Sequence, residues 1–213
     1  MSAIANPPLP THAPTPAPAA SAAQAGDPAV LGLPMFVAGS IALALALVGF
    51  VPPAAAGSAV PIILAATGLG LLVSAVWAAA LGQTLVACIF GLFAGFWWSY
   101  AVLVLGLSHG WFAIAPADVT DSVALFQISW AIVMGALTLA TLRLPVAFTA
   151  VVALVVVALV LLVFGTLNAD ATLTKAAGYV TFAFAAIGIY LFLGAASAAT
   201  GGKSYPLGSP IVR

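Results

Sequence analysis

Six long apolar runs follow one another between Leu31 and Ala196, and no Asp, Glu, Lys or Arg interrupts the pattern inside any of them. At about 1.5 Å of rise per residue, about 20 apolar residues cross the hydrocarbon core of a bilayer. The pattern therefore predicts transmembrane helices over 30–51, 59–80, 84–107, 122–142, 146–166 and 176–197. Polar and turn-forming residues punctuate the runs, with Pro, Gly, Asn and Asp where the chain must reverse. Two breaks, 81–83 and 143–145, are so short that the helices on either side must be antiparallel neighbours, tying spans two and three, and four and five, into hairpins. The expected fold is an all-α polytopic membrane protein, one bundle of six transmembrane helices. A domain over 27–198 carries the bundle, and 199–213 forms a short C-terminal tail.

The first 26 residues break the pattern, being rich in Pro and Ala and lacking both cations and an apolar core. They read as a solvated, partly polyproline-II extension and not as a cleaved leader. His12 within it is an ordinary loop histidine.

Composition sharpens the picture. Hydrophobic residues make up 65% of the chain and charged residues 4%, against about 25% charged in ordinary soluble domains. Four basic and four acidic residues give no net charge, so no stripe for nucleic acid and no polybasic run for anionic lipid is expected. The single cysteine, Cys88, lies in an apolar run and is expected to be a small core residue. Of the cations, Arg143, Lys203 and Arg213 fall on the side shared by the termini and Lys175 on the other, which orients both termini toward the cytoplasm. Trp111 and Phe112, beside the longest connection, suit an interfacial aromatic belt, while Trp77 and Trp130 are expected to pack or to face lipid.

Catalytic constellations are missing. The chain has no glutamate, no paired carboxylates in a span, no His/Cys cluster and no phosphate-cradling glycine loop, so neither an enzyme nor a bound cofactor or metal is expected. His109 stands alone and reads as a solvated histidine. An ionisable side chain at membrane depth, the usual mark of a proton relay, is also missing. What remains at that depth is a set of uncharged polar groups: Ser40, Thr67, Ser74, Thr84, Ser99, Tyr100, Gln127, Ser129, Thr138 and Tyr190. A Ser or Thr in a membrane helix more often bonds its own backbone than a solute. Thr84, Gln127 and Tyr190 are the candidates for a polar lining, Gln127 foremost because an amide is hard to satisfy locally. Gly91 and Gly95, four apart, allow close helix approach within a subunit or between subunits.

The run Asp27-Pro28-Ala29-Val30-Leu31-Gly32-Leu33, with Phe36 following, resembles the Asn-Pro-Ala-Pro-Leu-Gly-Leu signature that opens the first helix of the acetate uptake transporter family, the YaaH/SatP succinate/acetate permeases. Gly82-Gln83-Thr84, Phe96-Trp97, Thr141-Leu142-Arg143, Ala177-Gly178-Tyr179, Tyr190-Leu191 and Tyr205-Pro206-Leu207-Gly208 resemble further family segments in the right order. The resemblance implies six helices per subunit, a homohexamer with a pore through each protomer, and passage of acetate and sometimes succinate. It also implies a pore pinched by a Phe, a Tyr and a Leu. Phe36 matches the first, while Phe93 stands where the tyrosine would be and Val155 near the leucine. Asp27 replaces the signature Asn and Val30 a Pro, the first placing a negative charge at an anion's entrance.

On physical grounds Pro28 and Pro34 in the first turns could leave backbone N–H groups free at the positive end of a helix dipole, a place for a carboxylate. The same prolines could equally just start and bend the helix. The resulting expectation is an inner-membrane permease for acetate or a similar small carboxylate, conducting passively or with H⁺. A conduit for ammonia or another neutral solute, and a non-transporting membrane scaffold, are the alternatives.

Overall fold

The computed structural model describes residues 26–212 of the chain, so the proline-rich extension and its His12 lie outside the described residues, as does Arg213. The described part is helical, with six helices long and apolar enough to cross a membrane. They are α1 (Ala29–Val48), a second span over Gly57–Ala80 that ends in α2 (Leu69–Ala80), α3 (Thr84–His109), α4 (Val119–Ala140), α5 (Val146–Leu167) and α6 (Ala171–Ala199).

Local chemistry sets where each helix stops. Helix α1 ends three residues before the expected boundary because Gly49 adopts φ 88°, which an L side chain resists. The Gly49 and Phe50 N–H groups then close onto the carbonyls of Ala46 and Leu45 at 3.1 and 2.9 Å. Helix α6 begins five residues earlier than expected. Asp170 caps it, its Oδ1 accepting from Thr172 N at 2.7 Å and Leu173 N at 3.2 Å, so the polar run before Ala176 is the helix's first turn. The second span is not uniform either. A 3₁₀ segment (Pro53–Ala59) and a π-helical segment (Ile62–Gly68) precede α2. The indole N–H of Trp98 donates to the Leu64 carbonyl in that π segment at 3.1 Å, and the Trp98 ring lies where a Cβ on Gly68 would stand.

In lipid, helices associate through close packing of small residues and not through the hydrophobic effect. The buried face of α6 recurs every three to four positions, through Gly178, Thr181, Phe184, Gly188 and Leu191. Its glycines let it close on α1: a Cβ at Gly178 would stand 2.8 Å from Val48 Cγ1, and one at Gly188 would stand 2.9 Å from Val37 Cγ2. Gly91 faces Ala75 of α2 and Gly95 faces Trp130 of α4, so this spaced pair packs helices within the subunit. Cys88 is exposed, contrary to expectation. The inward stripe of α3 runs through Phe90, Phe93 and Trp97, and at about 100° per residue Cys88 falls on the opposite side.

The C-terminal tail is not a free extension. Residues 203–212 lie back along α6 and the start of α5. Tyr190 Oη donates to the Pro206 carbonyl at 2.8 Å, Ser197 Oγ to the Lys203 carbonyl at 2.9 Å, and Ala147 N to the Leu207 carbonyl at 3.1 Å. The Ile211 and Val212 N–H groups both donate to the Leu142 carbonyl.

Candidate functional site

Two chambers meet at one pair of rings. The wider, about 180 Å³, lies toward the end of the bundle where the described chain begins. Its wall is drawn from α1, α2, α3, α5 and α6, with Leu33, Leu71, Phe90, Phe148, Val151 and Leu191 among the lining and Asp27 at the rim. A groove of about 170 Å³ adjoins it, shares Asp27, Leu33 and Phe148, and is completed by Ser204, Tyr205 and Leu207 of the tail. The narrower chamber, about 20 Å³, lies deeper among Leu43, Phe96, Trp97, Val155, Ala158, Leu159, Leu162, Thr181 and Phe184. Phe36 and Phe93 line both.

The junction is aromatic and dry. The Phe36 and Phe93 rings meet edge-on with centroids 4.9 Å apart, and Phe184 also packs against Phe36 at 5.7 Å. All three are 4% exposed, so the rings fill the space between the chambers. Such pairs prefer these offset and edge-on geometries and gain about 0.5–1.5 kcal/mol beyond simple burial. Phe36 comes from the second turn of α1, Phe93 from the middle of α3 and Phe184 from the middle of α6.

The structure brings Phe36, Phe93 and Val155 together around the narrow chamber, and places Leu33 in the wall of the wide one. Gly32 is buried with the Phe90 ring seated over it, where any side chain would collide. Pro28 is buried as the N-cap of α1, and Leu31 lies half-buried outside both linings. The backbone N–H groups at the start of α1 are not free for a solute. Asp27 Oδ1 accepts from Ala29 N at 2.9 Å, and the Asp27 carbonyl from Val30 N at 3.1 Å. Leu31 and Gly32 donate to the Pro28 carbonyl. Asp27 itself is the anion at this helix N-terminus.

The three candidate polar residues line neither chamber. Thr84 is exposed at the start of α3, and the Tyr190 hydroxyl is engaged by the tail. Gln127 Nε2 donates to Thr166 Oγ1 at 3.0 Å, so the amide joins α4 to α5; neither chamber takes a lining residue from α4. Ser40, Ser74, Ser99, Ser129 and Thr138 each donate to a carbonyl one turn back in their own helix. His109 bonds the Leu105 carbonyl and stacks on Trp111, a local arrangement with no relay partner among the described residues. No group of three or more His, Cys, Asp or Glu that could hold a metal occurs among the described residues.

Phe184 and Trp97 are site residues that the motif comparison did not single out for the pore. The spacing of α6 carried a signal for the first, because Thr181, Phe184, Gly188 and Leu191 share one face. For Trp97 the signal was its place one turn beyond Phe93 on α3.

A six-helix polytopic membrane protein whose apolar chambers are divided by an aromatic pinch defines the class of fold. The chain belongs to the GPR1/FUN34/yaaH family, whose sequence model matches residues 10–211. It is similar in fold to a solved structure described as that of the bacterial acetate channel SatP, with a TM-score of 0.76 and 22% sequence identity, covering 86% of this chain and 99% of that one. No curated protein sequence matches it significantly.

Proposed function

We propose that this protein is a permease or channel for acetate and similar small carboxylates, succinate among the candidates, which pass one at a time between Phe36 and Phe93. Family membership and the fold it shares with an acetate channel support the class of solute. The observation that carries the reading is the junction itself: two chambers separated only by side chains, with no charged group lining the wall beyond Asp27 at the rim. Burying a bare carboxylate is expensive, so a short dry pinch suits a protonated acid or an anion without its water over one brief step. With no carboxylate or histidine lining the chambers beyond the rim, passive conduction or movement of H⁺ on the acid itself fits better than a side-chain relay.

In the assembly we infer, each protomer of a homohexamer carries its own path. In this reading the protein sits in the inner membrane with both termini cytoplasmic, the orientation that the bias of Arg143, Lys203 and Arg213 over Lys175 favours. Residues 27–198 form the conducting domain, with 1–26 and 199–213 as cytoplasmic tails.

The test is uptake of labelled acetate into liposomes holding the purified protein, with propionate and ammonium as competitors. Uptake reduced by propionate and not by ammonium supports the reading. Competition by ammonium alone would replace it with a neutral-solute conduit, and no uptake by folded, inserted protein would leave a scaffold. Repeating the assay under imposed pH and voltage gradients reads the coupling: equal uptake in all of them would exclude both charge and proton dependence.

A further inference from the structure

Among the indoles of α3 and α4, Trp98 donates to the Leu64 carbonyl at 3.1 Å and Trp130 to Ser99 Oγ at 3.2 Å. Trp97 differs. It is 1% exposed, yet its Nε1–H has no hydrogen-bond partner among the described residues. A buried donor with no acceptor is costly and uncommon, and one that persists in a packed interior calls for an explanation. Trp97 is also part of the wall of the narrow chamber, immediately beyond the Phe36 and Phe93 rings. The rest of that wall is aliphatic or aromatic apart from Thr181, whose hydroxyl hydrogen goes to the Ala177 carbonyl. Thus, among the buried side chains of the described residues, the one N–H left uncommitted is carried by a residue in the wall of the chamber that adjoins the pinch.

We propose that Trp97 Nε1–H is a hydrogen-bond donor to a carboxylate oxygen of the solute in the narrow chamber, a polar subsite that rests on the carboxylate reading above. An indole suits this place. Its ring packs against Phe96, with centroids 5.1 Å apart, and so keeps the wall apolar, while its single N–H gives an oxygen one partner and no charge to trap it. The chamber of about 20 Å³ is close to the space of one water. It therefore admits a carboxylate head only as neighbouring side chains shift, one solute at a time. The donor also biases the path toward solutes that accept hydrogen bonds, because a solute without an acceptor leaves the N–H unpaired.

The test reads the indole directly. The full-length ¹⁵N-labelled protein in lipid nanodiscs is titrated with sodium acetate against sodium chloride at matched ionic strength, and its indole N–H resonances are followed. The expected result is a saturable downfield movement of the Trp97 resonance with acetate, with Trp98 and Trp130 unmoved. In liposomes Trp97→Phe, which keeps a ring in the wall, is expected to raise the acetate concentration for half-maximal uptake by about tenfold, the worth of a hydrogen bond to a charged group. A parent that conducts acetate while its Trp97 resonance stays still, or moves no more than that of Trp98, overturns the subsite and leaves the carboxylate reading standing. A parent that conducts no acetate overturns both. Should Trp97→Phe fail to fold, the titration of the unsubstituted protein still decides, with the Trp97 signal identified by elimination from variants of the other four of the chain's five tryptophans.

Discussion

The two chambers differ about ninefold in volume, about 180 against about 20 Å³, although they share Phe36 and Phe93. The wide one is roomy, opens beside Asp27 and is walled by Leu, Val, Ile and Phe from five helices. The narrow one is closed in by Trp97, Phe96, Leu159 and Phe184, and Trp97 in its wall carries a buried, uncommitted N–H. On the proposed reading, that difference places selection at the narrow end. A wide apolar vestibule can shed water gradually and tolerates variation in its walls. A space of about one water resists every added atom, so the proposed path has its barrier there and at the ring pair.

Substitutions sharpen that contrast. Ala158 and Val151 both sit on α5, the first lining the narrow chamber and the second the wide one. Ala158→Leu adds bulk where none fits, and overpacking of about 1–3 kcal/mol corresponds to a loss of about 5- to 150-fold in flux. Val151→Leu should change flux by less than about twofold, since the wide chamber absorbs one methylene. Equal losses from the two, in labelled-acetate uptake at matched protein density, would erase the distinction between the chambers.

A smaller effect belongs to Phe93→Tyr, which puts a hydroxyl at or beside the junction. A neutral hydrogen bond has a net worth of about 0.5–1.5 kcal/mol, so half-saturation should fall by about threefold, with the maximal rate little changed. Unaltered half-saturation would mean that the hydroxyl lies off the path. The smallest effect is at the rim. Asp27→Asn keeps a side-chain oxygen that accepts from Ala29 N and removes one exposed negative charge, so acetate uptake at low ionic strength should rise by about twofold. In about 1 M salt, where screening acts within about 3 Å, the difference should vanish. A difference that survived high salt would assign Asp27 a role other than its charge.

Much of the architecture was legible in the chain because membrane helices announce themselves by composition. The uninterrupted apolar runs, and the short breaks at 81–83 and 143–145, need no tertiary information. What escaped was non-local or masked by polarity. Thr172, Thr174 and Lys175 look like a loop until Asp170 is recognised as a cap. The return of residues 203–212 depends on backbone hydrogen bonds to Leu142 and Ala147, which leave no periodic trace. Among the candidate site residues, Phe36 of α1 and Phe93 of α3 meet only in the folded bundle, and Phe184 joins them through the α6 stripe. Gln127 is only half satisfied, its Nε2 donating to Thr166 on the neighbouring helix while its buried Oε1 has no partner among the described residues, but it lies on α4, outside both chamber linings. Trp97 carried the opposite ambiguity: its sequence neighbour Trp98 is equally aromatic, and only packing shows which indole keeps its N–H uncommitted.

The central claim is that the solute crosses between Phe36 and Phe93, and the most direct measurement is labelled-acetate uptake into liposomes bearing the parent protein or Phe36→Trp at equal density. Both are first shown to be folded and inserted. The account predicts robust uptake by the parent and uptake at the protein-free background by the variant, because the larger indole adds bulk where the Phe36 ring already packs against Phe93 and Phe184. Uptake by Phe36→Trp at the parental rate would contradict it and place the path elsewhere.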